Sequence, residues 1–170
     1  MPRRRACALA LLLTAAALAG CGGGGSSSHG PTRAAYIAKA DAICRAAHAQ
    51  TNQLISKIKA LAPALLIGGT AAAPTAPGLV AKLHTVAAAD LARLRALAQP
   101  SADRAALAKF LNPLASIVSA MGKALADLRA GHAVDAAALF SNAIPTAQAV
   151  RSAAGAYGFK DCPSLLAALS

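Results

Sequence analysis

Apolar residues recur at spacings of three and four in four stretches of the chain, and polar residues occupy the positions between them. Such spacing places the apolar side chains on one face of an α-helix. The pattern predicts four helices, over 33–61, 79–98, 102–130 and 133–157. The apolar face of the first helix comprises Ile37, Ala40, Cys44, Ala47, Thr51, Leu54, Ile58 and Leu61.

Residues that start and end helices flank these stretches. Thr32 and Ser101 are suitable N-caps for the first and third helices, and Pro63 is expected to end the first. Gly131 and Gly158 follow the third and fourth helices, where glycine commonly supplies the left-handed residue that ends a helix. These boundaries leave one long connection, over 62–78.

The predicted fold is all-α, an up-down-up-down four-helix bundle over 32–162 with a C-terminal tail over 163–170. Heptad-like spacing and short connections are typical of this topology. Alanine dominates the apolar residues and only 3% of residues are aromatic, which favours closely packed helices over a core with a cavity. Pro113 and Pro145 fall inside helices, and they predict either gentle bends or a kink that opens a cavity.

The N-terminus has the pattern of an export signal. Arg3, Arg4 and Arg5 precede an apolar run over 6–19 that is too short to span a bilayer as a helix. The segment Leu18-Ala19-Gly20-Cys21 then resembles the lipobox of bacterial lipoproteins. This resemblance implies that residues 1–20 are a signal peptide that is removed, and that Cys21 carries a diacylglyceryl group and a further acyl chain such as palmitate.

Residues 21–31 predict a lipidated cysteine followed by a flexible glycine and serine tether. Two or three acyl chains anchor a protein stably, so we expect a lipoprotein on the extracytoplasmic face of the cell membrane. The alternative interpretation is an ordinary cleaved signal with an incidental cysteine.

Two further cysteines, Cys44 and Cys162, remain in the exported part of the chain. Because exported proteins fold in oxidising surroundings, we predict a Cys44–Cys162 disulfide that ties the first helix to the C-terminus. A redox or metal pair is the alternative, but the sequence has no CxxC motif and no histidine beside either cysteine.

The charge of the chain is strongly basic, with 17 Lys and Arg against six acidic residues, all of them Asp. Three of the basic residues belong to the expected signal peptide. The remaining positive surface favours an anionic envelope polymer, another envelope protein or the membrane surface as a partner. Nucleic acid is not an expected partner, since the basic residues are scattered rather than clustered.

The sequence offers no constellation of residues for catalysis, for a metal or for a cofactor. The four histidines, at positions 29, 48, 84 and 132, form no HxxxH or HExxH pair, and the absence of Glu disfavours a di-iron site. Asp90 alone falls within an apolar arc, on the second helix. We interpret it as a carboxylate paired with Arg93 or another basic residue, or alternatively as a buried acid that orients a ligand.

Three segments resemble those of a group of uncharacterised actinobacterial lipoproteins. They are Tyr36-Ile37-Ala38-Lys39-Ala40-Asp41-Ala42-Ile43-Cys44, then Leu94-Arg95-Ala96-Leu97 with Pro100 and Ala102-Asp103-Arg104, and finally Ala156-Tyr157-Gly158-Phe159-Lys160-Asp161-Cys162. The resemblance implies a secreted helical bundle with paired N- and C-terminal cysteines, and it implies no activity.

The sequence therefore favours a non-enzymatic envelope module that binds a partner. The alternative is a carrier that holds a small apolar ligand, such as haem or a lipid, in the bundle core. A cavity lined by Leu side chains, Phe140 and Met121 would favour the carrier.

Replacing Cys21 tests the expected anchor directly. We expect Cys21→Ser to move the protein from the membrane fraction to the soluble extracytoplasmic fraction, because no acyl chain can then be attached. Cell fractionation with intact-mass analysis measures both properties. Retention of the variant in membranes would show that lipidation is not the anchor.

Overall fold

The structure is a computed structural model that describes residues 30–66 and 75–165 of the 170-residue chain. Within these ranges every regular element is helical, which confirms the all-α class. The elements are α1 (Arg33–Leu66), α2 (Ala76–Ala96), a 3-10 turn (Ser101–Asp103), α3 (Arg104–Arg129), α4 (Ala133–Tyr157) and α5 (Cys162–Leu165).

Two of the predicted helix boundaries were wrong because of prolines. Pro63 does not end α1, which continues to Leu66 with the proline inside its last turns. There a proline removes one backbone hydrogen bond of the helix, while few residues remain beyond it. Ala76 begins α2 three residues before the expected start, and Pro77 lies in the first turn, where no N–H partner is needed.

Three of the four predicted capping residues are found at helix ends. The Thr32 hydroxyl accepts a hydrogen bond from the Ala35 N–H at 3.2 Å, as an N-cap does. Ser101 was expected to cap the third helix, but it begins a 3-10 turn and α3 starts at Arg104. Gly131 and Gly158 have φ angles of 83° and 104°, in the left-handed region that glycine adopts without strain. At the C-terminus, α5 begins at Cys162, the last residue of the predicted bundle, and continues into the residues expected to form a tail.

The helices pack mainly on their neighbours in the chain. α1 contacts α2, α2 contacts α3, and α3 contacts α4, whereas α4 touches α1 much less. α5 packs on both α1 and α4. The up-down-up-down order of the bundle stays a prediction.

The stretch Ser101–Arg129, which includes α3, is long and apolar enough to span a membrane by length and composition, with a mean hydropathy of 1.3. Its apolar residues pack against the helices on either side, since α3 contacts both α2 and α4. Core burial is thus sufficient to explain its composition.

Four of the five aromatic residues of the chain form one cluster. Tyr36, Phe110, Tyr157 and Phe159 are all at most 4% exposed, and their ring centroids lie 4.9–6.2 Å apart. Such spacings are typical of favourable aromatic pairs. The cluster gives this part of the core most of its bulk.

The predicted disulfide is confirmed. Cys44 and Cys162 are bonded across a sequence separation of 118 residues, with their Cα atoms 5.0 Å apart. Both residues are almost fully buried. In the chain-entropy treatment, closing a loop of about this length stabilises the folded state by roughly 4–5 kcal/mol.

Asp41 holds the C-terminal segment beside this disulfide, a role that was not predicted from the sequence. Its buried carboxylate accepts hydrogen bonds from the backbone N–H groups of Lys160, Asp161 and Cys162 at 3.0–3.4 Å. These groups precede or begin α5, where N–H groups lack helical partners. We call Asp41, the disulfide and the aromatic cluster together the disulfide junction.

Arg33 makes further contacts that hold the helices together at the disulfide junction. Its guanidinium donates to the Tyr157 carbonyl oxygen at 2.6 and 3.2 Å and lies 4.4 Å from the centroid of the tyrosine ring. The Tyr157 hydroxyl in turn donates to Asp103 at 2.9 Å. The start of α1, the start of α3 and the end of α4 are therefore joined by polar contacts.

Removing the Asp41 carboxylate is expected to destabilise the fold. Asp41→Ala should lower the free energy of unfolding by about 2–3 kcal/mol, because buried N–H groups lose their acceptor. The matched control is Asp127→Ala, which removes a carboxylate that pairs with Lys123 at the surface and should cost at most about 1 kcal/mol. Urea unfolding of the oxidised proteins measures both, and equal losses would contradict the assigned role.

Candidate binding site

An apolar cleft of about 370 Å³ lies among the four long helices. It is partly open to solvent, and we call it the cleft. Its walls come from the second half of α1, the first half of α2, the second half of α3 and the first half of α4. The lining residues are Ile55, Ile58, Lys59, Leu61, Ala76, Val80, Leu83, Ile117, Ala120, Met121, Leu128, Ala133, Val134, Ala136, Ala137, Phe140, Ser141, Ala143 and Ile144.

The distribution of side-chain volume explains why space remains here. Four of the eight described α4 residues that line the cleft are alanines, and Phe140 is the one aromatic residue among the eight. The other four aromatic residues lie in the disulfide junction. Because α4 packs on α3 and touches α1 little, its short side chains do not reach across to α1. The expectation that alanine would exclude a cavity was therefore wrong for this part of the bundle.

The two prolines inside the helices do not line the cleft. Pro113 lies in α3 and Pro145 in α4, and neither is among the described wall residues. Whether they bend the helices gently or kink them stays a prediction.

The rim of the cleft exposes large apolar side chains. Val134 is 73% exposed and Ile144 is 39% exposed, and they are the exposed large hydrophobic residues of the described part of the chain. Both line the cleft. Exposed apolar surface that is continuous with a concave apolar site is typical of ligand or partner binding.

Polar groups are sparse in the cleft. Lys59 and Ser141 are the two lining residues with polar side chains. The Ser141 hydroxyl donates to the Ala137 carbonyl oxygen at 3.1 Å, within its own helix. Among the described lining residues, this leaves Lys59 as the side chain with a donor that is not bonded within its own helix.

The donor atoms in the cleft do not fit haem. Proteins hold haem iron through His, Cys, Tyr or a Met that pairs with His. Met121 is the one residue of this set among the described lining residues. The His84 ring lies outside the walls, where its Nε2 would come within 3.2 Å of a Cβ placed at Gly122. The lining chemistry therefore favours a ligand held by apolar contact.

Asp90 and Arg93 form an ion pair on α2, with 3.2 Å between the Asp90 Oδ1 and the Arg93 nitrogen. Asp90 is 7% exposed, while the Arg93 side chain lies largely in solvent. Burial raises the pKa of the Asp90 carboxyl, and the Arg93 guanidinium opposes this shift. Asp90 lies outside the cleft, beside a second cavity of about 30 Å³, which has room for about one water molecule.

A polar cluster of His48, Asn52 and Ser164 at the surface of α1 was not predicted. His48 Nε2 lies 2.9 Å from Asn52 Nδ2, and His48 Nδ1 lies 3.5 Å from the Ser164 hydroxyl oxygen. A serine beside a histidine is the arrangement of a nucleophile and its base. Here the Ser164 hydroxyl donates to the Asp161 carbonyl oxygen at 2.6 Å, so the cluster fastens α5 to α1 instead.

Other residues singled out from the sequence have different positions. Cys21, the expected lipidation site, and His29 lie outside the described residues. Among the residues that the structure describes, no three His, Cys, Asp or Glu side chains converge to form a metal site.

Comparison with known proteins finds no family model, no curated protein and no solved structure that matches this chain. The likeness to actinobacterial lipoproteins stays a prediction. The described geometry is therefore the basis for assigning a function.

The raised pKa of Asp90 has a consequence for stability. The folded protein keeps this proton to higher pH than the unfolded chain, so the stability it contributes is present at acid pH and is lost as pH rises through the folded-state pKa. Wild type should therefore gain stability relative to Asp90→Asn as pH falls from 7 towards 4.

Urea unfolding across this pH range measures the effect. Arg93→Gln removes the guanidinium that opposes the shift, and it should move the pH dependence to higher pH. A stability difference between wild type and Asp90→Asn that does not change with pH would contradict the assignment.

Proposed function

We propose that this protein is a membrane-anchored extracytoplasmic carrier that holds a small apolar ligand in the cleft. One observation carries the proposal: four helices enclose about 370 Å³ of apolar space with an apolar rim. Ligand pockets in proteins are apolar concavities of about 300–1,000 Å³ with a few polar groups. The cleft has both properties and lies at the small end of this range.

The hydrophobic effect supplies the driving force for such binding. A dry apolar cavity of about 150 Å³ already binds benzene in a protein core. Each methylene group buried contributes about 0.8 kcal/mol, so a ten-carbon chain gains about 8 kcal/mol before the association cost of at least about 4 kcal/mol. The net gain of at most about 4 kcal/mol corresponds to a dissociation constant of about a millimolar for a ten-carbon chain.

The expected anchor agrees with this function. Acyl chains on Cys21 and a tether over 22–31 would hold the bundle close to a bilayer outside the cytoplasm. A carrier of a poorly soluble molecule works best next to the membrane that supplies or receives that molecule. Anchoring and binding support each other, although they rest on different residues.

A second candidate is a module that binds an envelope polymer or another envelope protein. The formal charge of +11, three of whose positive charges belong to the expected signal peptide, favours anionic polymers. The 73% exposed Val134 favours a protein surface that covers the rim. In that case the rim is a contact surface, and small apolar molecules would not enter the cleft.

Filling the cleft tests the carrier function. Ala137 lines the cleft and Ala138 is exposed on the same helix outside it. Ala137→Phe should weaken binding of an apolar fluorescent probe by about tenfold or more, because the ring occupies the space. Ala138→Phe should leave the affinity within about twofold of wild type.

The measurement uses the exported chain with Cys21→Ser, so that no detergent competes for the cleft. Thermal unfolding checks that each variant is folded, and Ile144→Asn at the rim is an alternative to Ala137→Phe if that variant does not fold. Equal affinities in all variants, or no probe binding by the unsubstituted cleft, would contradict the carrier function.

A further inference from the structure

Among the described residues that line the cleft, Lys59 is the one with a charged side chain. It lies on α1, next to the lining residue Ile58, and is itself exposed. All six acidic residues of the chain lie in the described ranges, and none of them forms an ion pair with Lys59 within these ranges. Lys59 therefore lines the apolar cleft without a described carboxylate paired with its ammonium group.

No acidic residue contributes to the cleft walls. Asp135 lies beside the rim residue Val134 in the first turn of α4, but it is exposed and does not line the cleft. A molecule in the cleft thus meets an apolar interior and a single positive group. Ser141 does not change this balance, since its hydroxyl hydrogen is directed at the Ala137 carbonyl oxygen.

We propose that the ligand is a single-chain lipid with an acidic headgroup, whose chain occupies the cleft and whose carboxylate or phosphate meets Lys59. This inference rests on the proposed carrier function and specifies its ligand class. An anion beside a lysine is a favourable pair, and an acyl chain matches walls of Leu, Ile, Val and Ala side chains. The volume of about 370 Å³ is near the lower limit for ligand sites, which favours one chain over two.

Lys59 also has a simpler interpretation. Lysine stems commonly cover apolar surface while the ammonium stays in water. On that interpretation the charge plays no part in binding, and only the stem contributes. Substitution by methionine separates the two, because it keeps an unbranched apolar stem and removes the charge.

The experiment compares Lys59→Met with Lys57→Met, a matched lysine that is exposed on α1 and does not line the cleft. The protein is the exported chain with Cys21→Ser, at pH 8. The two acidic probes are kept below their critical micelle concentrations, and the neutral alcohol is kept below its solubility limit. The probes are dodecanoate, dodecyl phosphate and dodecanol, and calorimetry or probe displacement gives the dissociation constants.

We expect Lys59→Met to raise the dissociation constants of both acidic probes by about fivefold, near the upper range for an exposed ion pair. The dissociation constant of dodecanol should not change. Added salt should also weaken the binding of the acidic probes. Lys57→Met should change none of the three. A loss for dodecyl phosphate alone or dodecanoate alone identifies which headgroup is preferred and also supports the proposal.

Two results would overturn it. In the first, Lys59→Met weakens the binding of dodecanol as much as that of the acidic probes, or changes the binding of none of the three. The charge then does not recognise the headgroup, although the carrier function stands. If the wild-type cleft binds none of the three probes, the carrier function itself fails.

Discussion

The attachment of the C-terminal segment to α1 is the constraint on which the rest of the structure depends. The Cys44–Cys162 disulfide fixes it covalently, and the Asp41 carboxylate satisfies three backbone N–H groups beside the bond. Through Tyr157 the end of α4 is held against α1, while the earlier part of α4 packs on α3. The bundle is therefore cross-linked around the aromatic cluster, and the cleft lies where no such link joins α4 to α1.

This division separates stability from binding. The disulfide junction contains Tyr36, Asp41, Cys44, Tyr157 and Cys162, whose contacts hold the helices together. None of these five residues lines the cleft. The fold therefore depends on the disulfide junction, whereas the proposed binding depends on cleft residues such as Lys59 and Ala137.

The helices and the disulfide could be predicted because their signals are local or few. Spacings of three and four indicate helices directly. Cys44 and Cys162 are the two cysteines that follow the expected lipidation site, so they allow only one intramolecular pair between them. The role of Asp41 could not be predicted, because its partners lie about 120 residues away and any polar residue at the edge of an apolar stripe looks alike in sequence. Phe140 and Met121 were expected as walls of a possible cavity, and they do line the cleft. Whether a cavity exists depends on how far α4 lies from α1, which alanine content alone does not determine.

The most direct test is whether an apolar ligand binds in the cleft and at no other site of the protein. Methyl NMR with labelled Met and Ile side chains, during titration with dodecanoate, reports each site separately. We predict that the methyl signals of Met121 and Ile144 shift with a common dissociation constant, while Ile37, which lies against Gly158 at the disulfide junction, keeps its position. Unchanged Met121 and Ile144 signals at saturating dodecanoate, or equal shifts at Ile37, would contradict it.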